Sequence, residues 1–595
     1  MIKRLPTWSF GNGPVHVFHP LQRDMLGNRM VQTRMNHIRR FSLMIAAVGM
    51  AFPAALLLSC AGPQTQYDVP GRAHREAPGE VRASNAVRAA KQYGAPELYA
   101  LLKPFPKGAD LHMHLSGAVY AETFIAEAAK QGLCVAPVIS GKDPGKPPVP
   151  VGKDAVKFVP APCGHGAVPM ASALTNQALY DDLVDSFSMR AFVPRQGIDG
   201  HDQFFATFDR FSGLKDVGGE WLDEVATRAA AQNEQYLEIM QTPSTLMGAA
   251  IKLGNQFGWP ATPTGAAVDP LGDTTGTSPA ELSALRAKLL AGGLRDEAAA
   301  DEKELDHALA ERNQIEHCGQ PDARPACSVK IHWLYQVLRA FPPQVVFAET
   351  LLAFEVASAD PDVVGLNFVQ PEDAYLAMSE YNRQMHMLDY LHSAYPRVHI
   401  SLHAGELAPG LVQPAGLRFH IREAIELGHA ERIGHGVDVL YEDRPRDLLK
   451  EMADRHIDVE INLTSNDGIL GVEEGDHPLV AYRAVHVPYS LSTDDEGVSR
   501  IDLTHEYVRA VLEQNLTYMD IKLSARDSLE HSFLHGESLW AHPDFYTQRR
   551  PACAEPIAAD SRPSAACQSF LDANEKAAQQ WELERRFAAF EANLK

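Results

Sequence analysis

Four short fragments between residues 110 and 495 constrain this chain more than any other feature. They are Asp110-Leu111-His112-Met113-His114, His403-Ala404-Gly405-Glu406, Gly434-His435-Gly436 and Ser492-Thr493-Asp494-Asp495. Each follows a short apolar run that reads as a β-strand, and each carries imidazole or carboxylate at or just past the strand end. Alternation along a strand puts residues 112 and 114 on one face, so two imidazoles enter one space. Groups this distant in sequence meet only where several strand ends converge, as at the mouth of a β/α barrel. His112, His114, His403 and Asp494 supply three neutral imidazoles and a carboxylate, a set that suits one divalent zinc-like ion with a position left for water. Glu406, His435 and Asp495 remain as acid–base groups for that water. Singly, a strand-end histidine or an Asp-Asp turn is a commonplace structural feature. Together the fragments point to a hydrolytic metalloenzyme.

The rest of the chain fits a barrel with attachments. At 595 residues it exceeds a barrel of about 250 by more than a domain. A helical lead-in is expected over residues 86–106. The first strand ends at His114, and Tyr236-Leu237-Glu238-Ile239-Met240 is the second. Strands at 328–338, 363–369, 397–403, 431–435, 457–463 and 487–493 alternate with helices and complete eight. Residues 135–175, rich in Pro, Gly, Lys and Val, read as a surface excursion. Helices are expected over 177–233, with Phe187, Phe192, Phe204, Phe205 and Phe208 on them. A second insert covers 255–325 and includes a charged helix from about residue 279 to 313. Residues 535–595 form a helical tail.

The N-terminus reads as an export signal. Arg34, Arg39 and Arg40 precede an apolar run over residues 41–58, which leads into Ser59-Cys60-Ala61. A basic start, a short apolar core and small residues at the cleavage point make a signal peptide. The Leu-x-Ser-Cys ending resembles the bacterial lipoprotein signal, with Cys60 the lipid-bearing residue and 60–85 a polar tether. Pro53 inside the run speaks against the rival, a permanent transmembrane helix. Setting Cys60 aside, six cysteines remain, and an even number in an exported chain favours disulfides. Local pairing, Cys134–Cys163, Cys318–Cys327 and Cys553–Cys567, is expected. The first 59 residues hold seven Lys/Arg and one Asp, a surplus of six, so the net charge of −22 becomes about −28 without them. Such a surface repels phosphate backbones and excludes polymeric nucleic acid as a partner.

The four fragments, with Arg432-Ile433, Leu463-Thr464-Ser465-Asn466, Leu503-Thr504-His505-Glu506-Tyr507 and the stretch from Ala525 to Leu534, resemble the adenosine deaminase branch of the amidohydrolases. The resemblance runs over residues 107–534, and the exported, Cys-bearing form is most similar to the secreted adenosine deaminase-like group. It implies a (β/α)8 TIM-type barrel of the α/β class, with one Zn2+ on His112, His114, His403 and Asp494. It also implies that Glu406 gives a proton to purine N1. His435 orients and deprotonates the water on the metal, and Asp495 bonds the N7 edge. The reaction implied is hydrolytic deamination of adenosine or 2′-deoxyadenosine to the inosine counterpart plus ammonia, outside the cytoplasm. The partners implied are a small purine nucleoside and, through Cys60 alone, a membrane.

Two departures bear on the substrate. Where the family has Asp two residues after the second histidine, to contact ribose, this chain has Ser116. The usual Asp-Leu-Ala-Gly-Asp-Glu becomes Asn367-Phe368-Val369-Gln370-Pro371-Glu372, so Gln370 replaces the glycine whose N–H reads purine N3. Deamination of another amino-purine or amino-heterocycle is therefore the alternative within the enzyme class. A non-catalytic binding lipoprotein on the same scaffold is the alternative from another class. The cytidine-type deaminase signature, H-x-E with a later P-C-x-x-C, is absent.

Overall fold

The computed structural model describes residues 77–138, 155–262 and 272–594, apart from residues 165, 196, 216 and 245. The described residues fall within one compact unit, Arg75–Lys595. The signal-peptide run, Cys60 and most of the expected tether lie outside them, as do parts of both inserts. No described helix is long and apolar enough to cross a membrane.

Eight parallel strands form one sheet in sequence order: β1 Gly108–His114, β2 Glu234–Gln241, β3 Lys330–Leu338, β4 Val363–Val369, β5 His399–Ala404, β6 Arg432–His435, β7 Asp458–Ile461 and β8 Tyr489–Leu491. The chain just past β8 returns to β1: Asp494 N–H donates to the His112 carbonyl at 2.8 Å, and Met113 bridges Asp494 in parallel. Thr493 adds its N–H and hydroxyl to Asp110 Oδ2 at 3.1 and 2.6 Å. The sheet thereby closes into a nearly complete barrel, and the expected (β/α)8 class holds. Helices pack against the outer face of the sheet and its inner face lines the barrel, so a strand such as Val363–Val369 is buried throughout.

Helix Pro343–Ala359 is apolar nearly all round because a further layer, helices Leu246–Phe257 and Arg295–Ile315, packs over it. The second insert therefore thickens the barrel wall. Its expected single charged helix is interrupted: Pro279–Leu289 and Arg295–Ile315 are separated by a wide turn in which Gly293 takes φ 109°, a conformation side chains resist.

The lead-in also differs from expectation. Its helix starts at Pro78, inside the stretch expected to be a tether, and runs to Tyr93 before a second helix, Ala95–Leu102. Proline at the first turn and Glu80 reaching back to the Ala77 N–H at 2.8 Å start it there, and Ala83 and Val87 are buried in the main core. The C-terminal helix Glu575–Asn593 meets it below the barrel. Phe105 packs among Tyr507, Tyr518, Phe587 and Phe590, and Lys522 Nζ joins Glu80 and Glu591 at 2.9 and 2.6 Å.

The first insert builds a small antiparallel sheet of Cys134–Pro137, Val156–Val159 and Val168–Pro169. With helices Gln177–Ser186 and Gly200–Phe211 it forms a cap with its own core, in which Phe124 stacks on Phe211 at 4.3 Å. Phe187 and Phe204 are buried there, with Phe205 and Phe208 packed against them. Cys134–Cys163, Cys318–Cys327 and Cys553–Cys567 are disulfide-bonded, the local pairing expected.

Candidate metal centre and acid–base site

At the C-terminal mouth of the barrel, β1 delivers His112 and His114, β5 delivers His403, β6 ends on His435, and Asp494 and Asp495 follow β8. His403 Nε2 lies 3.1 Å from His112 Nε2 and 3.3 Å from His114 Nε2. Asp494 Oδ1 is 3.3 Å from His114 Nε2 and 3.8 Å from His112 Nε2. The far nitrogen of each ring faces an oxygen: His112 Nδ1 meets Glu460 Oε2 at 2.6 Å, His114 Nδ1 meets Gln336 Oε1 at 2.6 Å, and His403 Nδ1 meets Asn367 Oδ1 at 2.8 Å. Each ring therefore donates from Nδ1 and turns a bare lone pair inward. Three lone pairs and a carboxylate oxygen this close repel unless a cation sits among them. Donors at these separations fit a tetrahedral site with bonds of about 2.0–2.1 Å.

The electrostatics agree. Although burial lowers it, Asp495 and Asp494 raise the His114 pKa to about 9, so without a cation this ring holds a second proton that a metal would displace. Burial and the neighbouring imidazoles hold His403 well below the usual histidine range. Burial opposes the Asp494 carboxylate, yet His114, His435 and His112 keep it ionised.

The backbone is built for these contacts. His435 and Asp494 take φ of 69° and 58°, which non-glycine residues avoid and which packing here enforces. Two glycines make room. A Cβ on Gly434 would lie 2.6 Å from His112 Cε1, and one on Gly117 would lie 1.4 Å from Asp495 Oδ1.

Glu406 is buried just past β5. Its N–H and that of Gly405 donate to the Glu372 carboxylate at 2.8 and 3.1 Å, and His420 holds the same carboxylate at 2.5 Å. Burial would raise the Glu372 pKa, but His420 and Arg339 keep it at about 2, so it stays charged. Burial, then Asp494, then Glu372 push the Glu406 pKa well above the carboxylate range. His435 Nε2 lies 3.7 Å from Glu406 Oε1 and 3.9 Å from Asp494 Oδ2. Asp495 is buried and also raised, by burial and by Asp494, and its Oδ1 has no hydrogen-bond partner among the described residues.

Ser116 stands in the short helix Leu115–Ala118 directly after β1 and is half-buried. Gln370 has φ 83°, the conformation a glycine would adopt freely. Its Oε1 accepts from Ala340 N–H at 2.9 Å and its carbonyl from Arg339 Nε at 3.1 Å, so the side chain is turned to the loop after β3. From the cap, His201 Nε2 meets Asp373 Oδ1 at 2.9 Å, tying helix Gly200–Phe211 to the segment after β4.

Sequence reasoning missed the groups that orient the ligands. Gln336 and Glu460 come from β3 and β7, and no local motif marks them, whereas Asn367 on β4 opens the segment that departs from the family pattern but has no role assigned by it. Beneath them Arg432 donates to Glu460 Oε1 and Glu238 Oε2, both at 2.6 Å, with all three side chains buried. Burial alone would raise the Glu460 pKa, but Arg432 and His112 hold it at about 2. Arg432→Met would leave two carboxylates unpaired in the barrel core. Urea denaturation is expected to show a loss of about 3–5 kcal/mol, the cost of breaking a buried ion pair. A loss below about 1 kcal/mol would mean the carboxylates find other partners.

Comparison with known proteins matches a family model described as adenosine deaminase over residues 313–539. Adenosine deaminase of Escherichia coli O157:H7 (strain EC4115 / EHEC) is 39% identical over 140 residues, which is 23% of this chain and 39% of that protein. Adenosine deaminase of Clostridium perfringens (strain 13 / Type A) is 34% identical over 139 residues, with the same coverage of 23% and 39%. The chain thus spans about 39% of the length of the curated relatives it matches. Among solved structures, adenine deaminase from Arthrobacter aurescens has 16% identity, covers 72% of this chain and 94% of its own, and superposes with a TM-score of 0.43.

Proposed function

We propose, from the match of residues 313–539 to a family model described as adenosine deaminase, that this chain hydrolyses the 6-amino group of a purine, with adenosine and 2′-deoxyadenosine as substrates and the 6-oxo purine and ammonia as products. The observation that carries the reading is the convergence of the inward nitrogens of His112, His114 and His403 on Asp494, with the buried Glu406 carboxyl 3.7 Å from His435 Nε2. Those three histidines and Asp494 would hold a zinc-like ion, which supplies a water acidic enough to serve as hydroxide near neutral pH. Glu406 donates its proton to N1 of the purine. Loss of aromaticity on addition at C6 is thereby compensated, because the ring nitrogen leaves the step neutral. Asp495, protonated, donates to N7, which has only a lone pair to offer. Both carboxyls need burial to keep their protons, and both have it.

The sugar end is where the chain departs from the family. Ser116 replaces a charged contact with a neutral one, and a site rejects an analogue strongly only where it would leave a buried polar group unpaired. We therefore place adenosine and 2′-deoxyadenosine together as good substrates, with tolerance at the 5′ position. The test is ammonia release from adenine, adenosine, 2′-deoxyadenosine and AMP. Both nucleosides should be turned over comparably, and adenine poorly because it lacks every sugar contact. Adenine as the best substrate would overturn the nucleoside reading and favour the alternative among amino-purines.

We also place the protein outside the cytoplasm, lipid-anchored at Cys60. The basic and apolar N-terminal pattern supports this, and so do three disulfides among the described residues, a usage of cysteine typical of oxidising compartments. Mass measurement should find a chain that begins at an acylated Cys60; an unmodified N-terminus preceding residue 60 would refute it.

A further inference from the structure

We propose that His477 is a positioning residue that sets the ring tautomer of His435 through Asn466, so that His435 meets the reacting oxygen as a hydrogen-bond donor. The chain of contacts starts from a group whose polarity is beyond doubt. The backbone N–H of Leu479 donates to His477 Nδ1 at 3.2 Å, which makes Nδ1 the acceptor and leaves the ring proton on Nε2. His477 Nε2 then faces Asn466 Oδ1 at 3.1 Å and donates to it. That fixes the amide orientation, and Asn466 Nδ2 donates to His435 Nδ1 at 2.9 Å.

A second amide says the same. Asn462 Nδ2 is 3.4 Å from His435 Nδ1, and it is oriented independently by the Glu460 carbonyl at 3.3 Å, which can only accept. A proton on His435 Nδ1 would point into two N–H groups, so the neutral ring carries it on Nε2. All four side chains are buried. The three ligand histidines show the opposite arrangement: each donates from Nδ1 to an oxygen and keeps a lone pair on Nε2. His435 Nε2 is buried and lacks a partner among the described residues, 3.7 Å from Glu406 Oε1 and 3.9 Å from Asp494 Oδ2. Its N–H is available to the oxygen that adds at C6. A ring in this tautomer holds that oxygen in place and cannot take its proton through Nε2.

The tautomer follows from the contacts alone, whereas the role of the donor rests on the deaminase reading. The two are separable by experiment. Full-length protein loaded with zinc and labelled with 15N-histidine is examined by NMR, the His435 resonances being assigned by their loss in His435→Gln. The parent should show His435 with a pyrrole-type Nε2 and a pyridine-type Nδ1. The reverse pattern in the parent overturns the proposal, whatever the variants do. Asn466→Asp, which puts an acceptor at Nδ1, should reverse the pattern, and an unchanged pattern there also overturns it. His477→Leu should lower kcat by about 10²–10³, the worth of one preorganised donor, with KM nearly unchanged. His477→Gln, which can still donate to Asn466, should recover most of the loss. Equal losses in the Leu and Gln variants would assign His477 a merely structural part and overturn its positioning role. A protein that releases no ammonia from any purine would sink the deaminase reading and leave the tautomer to be judged by its spectrum.

Discussion

Alanine at His112, His114, His403 or Asp494 is expected to remove bound metal and turnover together. Each side chain supplies one of four donors around a single point, and a three-donor remnant leaves a coordination position open to solvent. Their inward atoms lie 3.1–3.8 Å apart, and His435, whose Nε2 is 3.9 Å from Asp494 Oδ2, is the side chain that could substitute for one of them. Metal content after dialysis, by atomic emission, and ammonia release are the two measurements. His435→Ala is the informative companion: its ring faces two amide donors at Nδ1, so the metal should stay at one per chain while activity falls. Full metal occupancy in any two of the four ligand variants would overturn the assignment. Loss of metal from His435→Ala, with retention in His114→Ala, would exchange the roles of those two residues.

The second large effect belongs to Glu406. Glu406→Gln keeps shape and hydrogen-bonding capacity but has no acidic proton, so metal content and nucleoside binding should persist while kcat falls by about 10²–10⁴. The pH dependence gives an independent check with a definite sign. Burial, Asp494 and Glu372 raise the Glu406 pKa, and the protonated form is the active one. Activity is therefore present below that raised pKa and is lost as pH rises through it. The alkaline limb should disappear in Glu406→Gln. A variant within a few-fold of the parent, with the limb unaltered, would mean that the proton comes from another group.

Glu372 explains why this acid stays in place. Its carboxylate, held charged by His420 and Arg339, accepts both N–H groups of Gly405 and Glu406, so the charge that anchors the backbone also discourages ionisation of Glu406. One buried carboxylate thus does two things for another, an arrangement that neither residue's sequence neighbourhood displays.

What the sequence by itself determined is what local pattern can encode. Strand-end placement of His112, His114, His403, His435 and Asp494 is written in short apolar runs followed by polar residues, and β/α alternation follows from hydrophobic period. The disulfide pairing was also legible, because each pair lies close along the chain: 29, 9 and 14 residues apart. Only the tertiary structure decided the rest, and for one reason: a proton's position depends on what surrounds it. Gln336, Glu460 and Asn367 reach the candidate ligand rings from three other strands, and nothing in the segments of Gln336 and Glu460 distinguishes them from ordinary core polar residues. His477 precedes a proline and a short helix, where it reads as a simple turn residue, yet through Asn466 it faces His435 from 42 residues away along the chain. The helices Pro78–Tyr93 and Glu575–Asn593 bear the same lesson at the other end of the barrel. The first eight residues of the former read as tether, and that the two helices meet each other around Lys522 is decided by the open base of the barrel, whose apolar surface has to be covered from somewhere.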